Sequence, residues 1–328
     1  PTLLPALSIV LLATAAWSLS AVDVALVIGP GNPPTLAVLA WQWLSQGDEH
    51  QQAKGALASL ILLLTLAMMT LAAWGVWGIW RRRIPPVKGI RRPQPRALAG
   101  KSFALLLPLC GVACALLLAA AAQTSLPVQD SVGNSLWLGL CSASIGVVIC
   151  LLWLALGPSR FGEWIWLPLI LPALPLVDGQ YQLALYTWQD GEWLTVLWGH
   201  LLWVVPWMLF ILRPAWRARD PRAELVARTL GWQRGRIFWL VTLPALTRPL
   251  LTALAVGFSV SIAQYLPTLW LGGGRVVTLT SEAVALSSGG DTSTLAAQAL
   301  WQLLLPALFF AATALLAWLI GRYRQGLR

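Results

Sequence analysis

"GALASLILLLTLAMMTLAAWGVWGIWRRR", Gly55–Arg83, runs 26 residues without a charge and then meets three arginines. A bilayer core needs about 20 apolar residues in helical form. A barrel strand would be shorter, roughly ten residues, and would alternate apolar with polar. This stretch therefore reads as a membrane-spanning helix, with the arginines holding its end on the cytoplasmic side.

Seven further runs surround it, giving eight in all: Leu3–Ile28, Gly55–Trp80, Phe103–Gln123, Ser135–Gly157, Trp164–Val177, Leu194–Leu212, Ala245–Leu271 and Ala296–Ile320. The fifth is short and holds Pro168, Pro172 and Pro175. The chain is 58% hydrophobic and 10% charged, with mean hydropathy +0.72. Soluble domains carry about 25% charged residues. An all-α polytopic membrane protein with about eight transmembrane helices is the fold class expected.

The net charge of +10 could point to nucleic acid, but its distribution points to topology. Arg81–Lys101, Gly157–Glu163, Arg213–Arg248 and Arg322–Arg328 hold 20 of the 22 Lys and Arg. The other side keeps Lys54 and Arg275, with Asp48, Glu49, Asp130, Asp178, Asp190, Glu192, Glu282 and Asp291. The basic segments are expected in the cytoplasm, against lipid head groups, with no nucleic-acid partner. Cys110, Cys114, Cys141 and Cys150 lie inside spans and read as small packing residues, implying neither a disulfide framework nor a metal site. Trp77, Trp80, Trp164 and Trp193 fall near span ends, as an aromatic belt requires.

The chain repeats itself at an offset of 243, with "LVIGPGNPPTL" (Leu26–Leu36) against "LWLGGGRVVTL" (Leu269–Leu279). Gly47-Asp48 falls on Gly290-Asp291, Ala53 on Ala296, Ala56 on Ala299 and Arg81 on Arg324. Six crossings separate the first run from the seventh, so the repeat is parallel, a known transporter plan. Pro1 then matches a position deep inside the second copy. Residues 1–83 are expected to be the C-terminal part of a first permease half, with two spans. Residues 84–102 are a basic, Pro-rich cytoplasmic linker, and 103–328 a complete second half of about six spans. The chain is expected to be the C-terminal fragment of a longer protein.

One basic segment carries more than topology: "RDPRAELVARTLGWQRGRIFWLVTLPALTRPLL", Arg219–Leu251. Asp220 suits an N-cap, Pro221 the first helical position, and Gly231 the left-handed residue that ends a helix. "WQRGRIFWLVT" can form a second short helix. Leu225, Val226, Leu230, Ile237 and Phe238 are expected to form one apolar side of a surface helix–turn–helix.

This loop resembles the cytoplasmic EAA loop of binding-protein-dependent ABC importer permeases. That pattern reads Glu-Ala-Ala, three residues, Gly, nine residues, Ile, any residue, Leu-Pro. Here three residues lie between Ala227 and Gly231, and nine lie between Gly231 and Val241, which is followed by Thr242, Leu243 and Pro244. Leu225-Val226-Ala227 replaces Glu-Ala-Ala, and Glu224 sits one position early. "NSLWLGL" (Asn134–Leu140), "HLLWVVPWMLF" (His200–Phe210) and "PTLWLGGGRVVTL" (Pro267–Leu279) resemble further segments of the family. The two-half organisation is similar to the fused permeases of the thiamine, ferric-iron and polyamine type.

The resemblance implies a bacterial inner-membrane permease forming a solute pathway, with loop 214–244 docking on a cytoplasmic ATPase. Glu224, Leu225, Ala227, Leu230, Gly231, Val241, Leu243 and Pro244 would carry that contact. Two ATPase subunits and a periplasmic substrate-binding protein would be partners, and no cofactor is implied. The chain has no Walker A sequence, so ATP hydrolysis belongs to another chain.

Pathway candidates are Asp23, Ser259, Ser261, Gln264 and Tyr265, in the first run and its mirror, the seventh. Each could equally make a helix-packing hydrogen bond. An acid near the outer mouth favours a cationic solute. An ion-coupled secondary carrier, with Asp23 as coupling residue or His200 in its place, is the alternative. An intramembrane hydrolase fares worse. His50 lies in an outer loop, His200 has no serine motif beside it, and "LSSGGD" (Leu286–Asp291) mirrors "LSQGD" in the first copy.

Overall fold

The structure is a computed structural model, and it describes residues 4–29, 31–83, 98–122, 129–157, 164–187, 189–289 and 291–323. Among these residues every regular element is helical. They are α1 (Leu4–Ser20), α2 (Val22–Ile28), α3 (Leu36–Leu44), α4 (Glu49–Arg83), α5 (Leu98–Ala122) and α6 (Gln129–Leu156). After a 3₁₀ turn at Trp164–Trp166 come α7 (Leu167–Ile170), α8 (Ala173–Tyr186), α9 (Trp193–Arg217), α10 (Pro221–Thr229) and α11 (Arg234–Ile237). A π-helical turn, Phe238–Thr242, leads into α12 (Leu243–Ala245). The chain ends with α13 (Thr247–Ile262), α14 (Leu266–Gly272), α15 (Leu279–Ser287) and α16 (Thr292–Tyr323).

The expected eight spans are not all continuous. Four helices are long and apolar enough to cross a bilayer: Glu49–Ile79, Gln129–Leu156, Trp193–Arg217 and Thr292–Arg322. A bent pair, Arg234–Ala245 with Thr247–Ile262, brings the number to at most five among the described residues. Three expected runs are broken instead. The first breaks at Ala21, the fifth at Leu171-Pro172 and the seventh at 263–265. Pro172 explains the second break, because it forces Leu171 into extended backbone (φ −82°, ψ 148°) and offers no N–H. Ser20 closes the first. Its hydroxyl donates to Ala16 O at 2.7 Å and accepts from Ala173 N at 3.0 Å, so the last residue of α1, before the turn at Ala21 (φ −70°, ψ 89°), also caps α8.

Most of the expected linker, 84–97, lies outside the described residues, but Leu98–Ser102 already belongs to α5. "RALAGK" is rich in helix formers, which carries the helix below the expected boundary.

Helices run in register with the repeat. Leu36 begins α3 and Leu279, 243 residues on, begins α15, while Glu49 and Thr292 begin α4 and α16 at the same offset. Thr35 and Thr278 are both N-caps, each accepting from the backbone N–H three residues on, at 3.4 Å. A polar side chain thus satisfies the same orphan donor in both copies.

Small residues let the central helices approach. A Cβ on Gly139 would come 2.7 Å from the Phe258 ring, one on Gly146 2.7 Å from Met208 Sδ, and one on Gly199 2.3 Å from Leu271 Cδ1. Glycine here removes the side chain that would hold α6, α9, α13 and α14 apart. Phe258 and Phe309 stack with centroids 4.3 Å apart, tying α13 to α16. Cys150 donates to Val205 O at 3.6 Å, a packing contact between α6 and α9. Leu60, Leu64, Met68 and Trp74 on α4, with Leu308 and Leu315 on α16, stay exposed, as lipid-facing residues do.

Candidate functional site

Two regions hold the predicted residues, and α13 joins them. The first is the loop. The Asp220 carboxylate accepts from Arg222 N at 2.9 Å, and Pro221 opens α10. Gly231 has φ +77°. Trp232 N donates to Ala227 O at 3.1 Å and Gly231 N to Arg228 O at 3.0 Å. This is a Schellman closure, which needs the left-handed residue that glycine adopts at little cost.

Glu224 holds the two arms together. Its Oε1 accepts from Arg219 Nη1, which follows α9, and from Thr242 Oγ1 at 3.0 Å, on the π turn. Arg219 is itself fixed: its guanidinium carbon lies 3.7 Å from the Trp216 ring centroid, and Nε donates to Trp216 O at 3.0 Å. The motif reading missed Arg219, Trp216 and Thr242, because nothing in spacing shows that residues 18 apart will meet.

The apolar side divides. Leu225 (63%), Val226 and Leu230 (68%) are exposed, while Ala227 and Ile237 are buried at 5% and 4%. Ile237 therefore leaves the expected outer face and packs inward, and Trp239 and Leu240 stand exposed in its place. The second arm is also longer than α11 alone, running through the π turn to Ala245. Pro244 lacks the N–H that would bond Leu240 O, which relaxes the ladder there. At Leu246 the arm meets α13 at 73°. Pro249 forbids a straight continuation, since its ring would strike the Ala245 carbonyl.

The second region is a cleft where broken helices meet. Ser20, Ala21 and Asp23 line it from the α1–α2 break, and Ala263, Gln264, Tyr265, Leu266 and Pro267 from the α13–α14 break. Trp17, Trp203 and Trp207 complete its walls with Pro168, Leu169 and Leu171. Its volume is about 630 Å³, counting the part open to solvent. Non-helical backbone at membrane depth is tolerated where it lines a cavity or is buried in protein.

The structure thus brings together three of the five pathway candidates, Asp23, Gln264 and Tyr265. Ser259 and Ser261 stand apart. Ser259 donates to Ala255 O at 2.8 Å along its own helix. Ser261 is buried against His200, whose Nδ1 lies 2.8 Å from Ser261 Oγ and whose Nε2 lies 2.9 Å from Thr268 Oγ1. Thr268 donates its one proton to Gln264 O at 2.9 Å. His200 Nε2 must then be the donor to Thr268, and Ser261 donates to Nδ1. His200 is a neutral, fully bonded tie between α9 and the α13–α14 break. Gln264 Nε2 adds a bond to His200 O at 3.2 Å.

Residues 142–324, more than half of the chain, match the family described as binding-protein-dependent transport system inner membrane component. The chain belongs to that family. It is also 58% identical over 328 residues to the inner membrane ABC transporter permease protein YnjC of Escherichia coli (strain K12). That similarity covers 100% of this chain and 64% of the relative, so the chain spans a little under two thirds of it. The matched family region contains the whole loop, His200 and the α13–α14 break, whereas Asp23 lies before it. The chain thus joins four to five helices of membrane-spanning length, among the described residues, to membership of a family of inner-membrane transport components.

The tryptophans of the cleft were missed in the sequence. Trp203 and Trp207 are four apart and share a face of α9, but 21 tryptophans in an apolar chain hide such a pair.

Proposed function

We propose that this chain forms the solute pathway of an ATP-binding-cassette importer and couples through residues 220–244 to an ATPase carried on a separate chain. The observation that carries this reading is that α13 has the loop at one end and the cleft at the other. A braced loop displaced by its partner would move α13 as a lever, and α13 ends at Ala263 and Gln264 in the cleft wall. Leu225, Val226 and Leu230 form the exposed apolar crest that an ATPase cleft would cover. The 243-residue register supports two permease halves that rock about this site, each with its own loop, served by two ATPase subunits and a periplasmic substrate-binding protein. The basic segments, loop included, would then face the cytoplasm, in keeping with the charge asymmetry.

The test is co-purification of the full-length protein with its ATPase in mild detergent, with hydrolysis assayed. Leu225→Asp and Gly231→Pro should each remove the ATPase from the complex while membrane insertion persists. Retention of a stoichiometric ATPase in both variants would sink the coupling role of the loop. Asp23 in the cleft wall favours one other reading, an ion-coupled carrier. A full-length protein that recruits no ATPase yet loses proton-coupled uptake on Asp23→Asn would support that instead.

A further inference from the structure

We propose that the second arm of the loop, Arg234–Ala245, is a seat for anionic phospholipid, with Trp239 and Leu240 entering the headgroup boundary and Arg234 and Arg236 holding lipid phosphates. This rests on the permease reading for the side of the bilayer on which the loop lies, and it gives the two arms different partners.

Angle sets the orientation. The arm meets α13 at 73°. Spans stand close to the bilayer normal, with an average tilt of about 20°. An arm at this angle to a span lies along the bilayer surface. A neighbouring helix sets its height. The Arg248 guanidinium, two residues after the bend, fills the space where a side chain on Gly321 would stand. Gly321 is in the last turn of α16. Beside it Arg322 lies over the exposed Trp318, 5.4 Å from the ring centroid. Tryptophan and arginine at the end of a span mark the headgroup level. The bend is therefore at the height where α16 leaves the hydrocarbon.

The arm then sorts its residues. A π turn closes at i+5, so Ile237 and Thr242 stand one above the other, and both are buried. Trp239 and Leu240 fall on the side away from them, 65% and 56% exposed. Two adjacent apolar side chains so placed are unfavourable in water and favourable in the headgroup boundary. The other exposed apolar residues of the loop, Leu225, Val226 and Leu230, come before Gly231, in and just after α10.

Charge selects the lipid. Residues 225–251 hold Arg228, Arg234, Arg236 and Arg248 and no acid. Arg234 and Arg236 are exposed, and among the described residues neither pairs with a carboxylate. Arg236 is already placed, its guanidinium carbon 4.6 Å from the Trp232 ring centroid, with its N–H fork left for another partner. That fork matches phosphate oxygens, and each arginine near an anionic leaflet adds to the attraction. A zwitterionic headgroup offsets most of it with its own ammonium. The consequence is regulatory. The arm connects the first arm to α13 and is braced by the Glu224–Thr242 bond. Lipid that holds the arm in the surface plane fixes the point about which α13 would swing, so coupling depends on anionic lipid.

The experiment places a photoreactive benzophenone amino acid at position 239 of the full-length protein, co-expressed with its ATPase, and at position 225 in a second protein. Both are reconstituted in nanodiscs of phosphatidylethanolamine, alone or mixed in equal parts with phosphatidylglycerol, and the crosslinked products are identified by mass. Position 239 should take lipid, and in the mixed discs phosphatidylglycerol by about fivefold or more over phosphatidylethanolamine. Arg234→Gln together with Arg236→Gln should abolish that preference while lipid crosslinking persists, which shows that the arm is still seated. ATP hydrolysis should be at least about threefold faster in the mixed discs and should lose this dependence in the double variant. A position-239 product with the ATPase in place of lipid would overturn the proposal, as would equal yields of the two lipids or hydrolysis indifferent to them. If position 225 captures the ATPase and position 239 captures no lipid, the lipid seat fails and the permease reading stands. If position 239 captures phosphatidylglycerol and no ATPase co-purifies, the importer reading fails and the lipid seat stands.

Discussion

Glu224 Oε1 accepts a hydrogen bond from Thr242 Oγ1, 3.0 Å away, and this bond joins the two arms of the 220–244 loop. The same oxygen takes the Arg219 guanidinium. The acid that stands one residue early in the motif is therefore turned inward as a brace. Hydrogen bonds to charged groups contribute about 1.5–3 kcal/mol, less where solvent reaches them. Glu224→Ala should loosen the loop by about 1 kcal/mol, and ATPase activity in the complex should fall severalfold at unchanged expression. Thr242→Val should act alike, and the double variant should lose less than the two single losses added. Full additivity would show that the two residues act independently.

Gly231 closes α10 with φ +77°. An L-residue in that region costs about 1–2 kcal/mol. Gly231→Asn should be tolerated better than Gly231→Ala, because Asn enters the left-handed region more readily. Limited proteolysis between α10 and α11 measures this, with cleavage rate rising in the order Gly, Asn, Ala. A faster rate for Asn than for Ala would contradict the conformational argument.

His200 uses both ring nitrogens, on Ser261 and Thr268. His200→Leu would leave the buried Ser261 hydroxyl without its acceptor, at about 1–3 kcal/mol, while Thr268 keeps its bond to Gln264 O. The variant should unfold at clearly lower temperature in detergent, as the α13–α14 geometry loosens. His200→Gln should recover part of the stability. No change in unfolding temperature for His200→Leu would remove His200 as the tie between these helices.

Gly139 faces the Phe258 ring, where an added Cβ would lie 2.7 Å away. An aromatic ring stacked on Phe309 cannot step aside freely. Gly139→Ala should cost about 1–3 kcal/mol by overpacking, and Phe258→Leu in the same chain should recover part of it. Thermal unfolding of the single and double variants gives the comparison.

Asp291 precedes α16 and accepts from Ser293 N at 3.1 Å, Ser293 Oγ at 2.7 Å and Thr294 Oγ1 at 2.9 Å. The Ser293 and Thr294 bonds hold its carboxyl below the ordinary carboxylate range. A folded pKa below the unfolded value means that the cap contributes fully above about pH 4, the unfolded carboxyl pKa. The contribution is lost as pH falls through the lower folded value. The protection of residues 293–295 against hydrogen exchange, relative to the intrinsic rate at each pH, should therefore fall in acid, and Asp291→Ala should show the lower protection already at neutral pH.

Much of this was legible from residue order. Apolar length, the cytoplasmic bias of arginine, the cap at Asp220, the left-handed Gly231 and the 243-residue register are local or periodic properties, and a chain carries them in one dimension. The family resemblance rested on such spacings. What only the tertiary structure decided is where helices break and which side chains then meet. The break after Ser20 sets its hydroxyl against Ala173 N, 153 residues later, which it caps. Ile237 turns inward because the second arm packs against α10, the first arm of the loop. Asp23 and Gln264 share a cleft while Ser261 turns to His200, though all lie in runs that looked alike. Continuous apolar composition says that a segment prefers lipid, but it cannot say whether its backbone bonds are satisfied within one helix or by a distant side chain. That choice depends on contacts between residues far apart in sequence, and folding makes it.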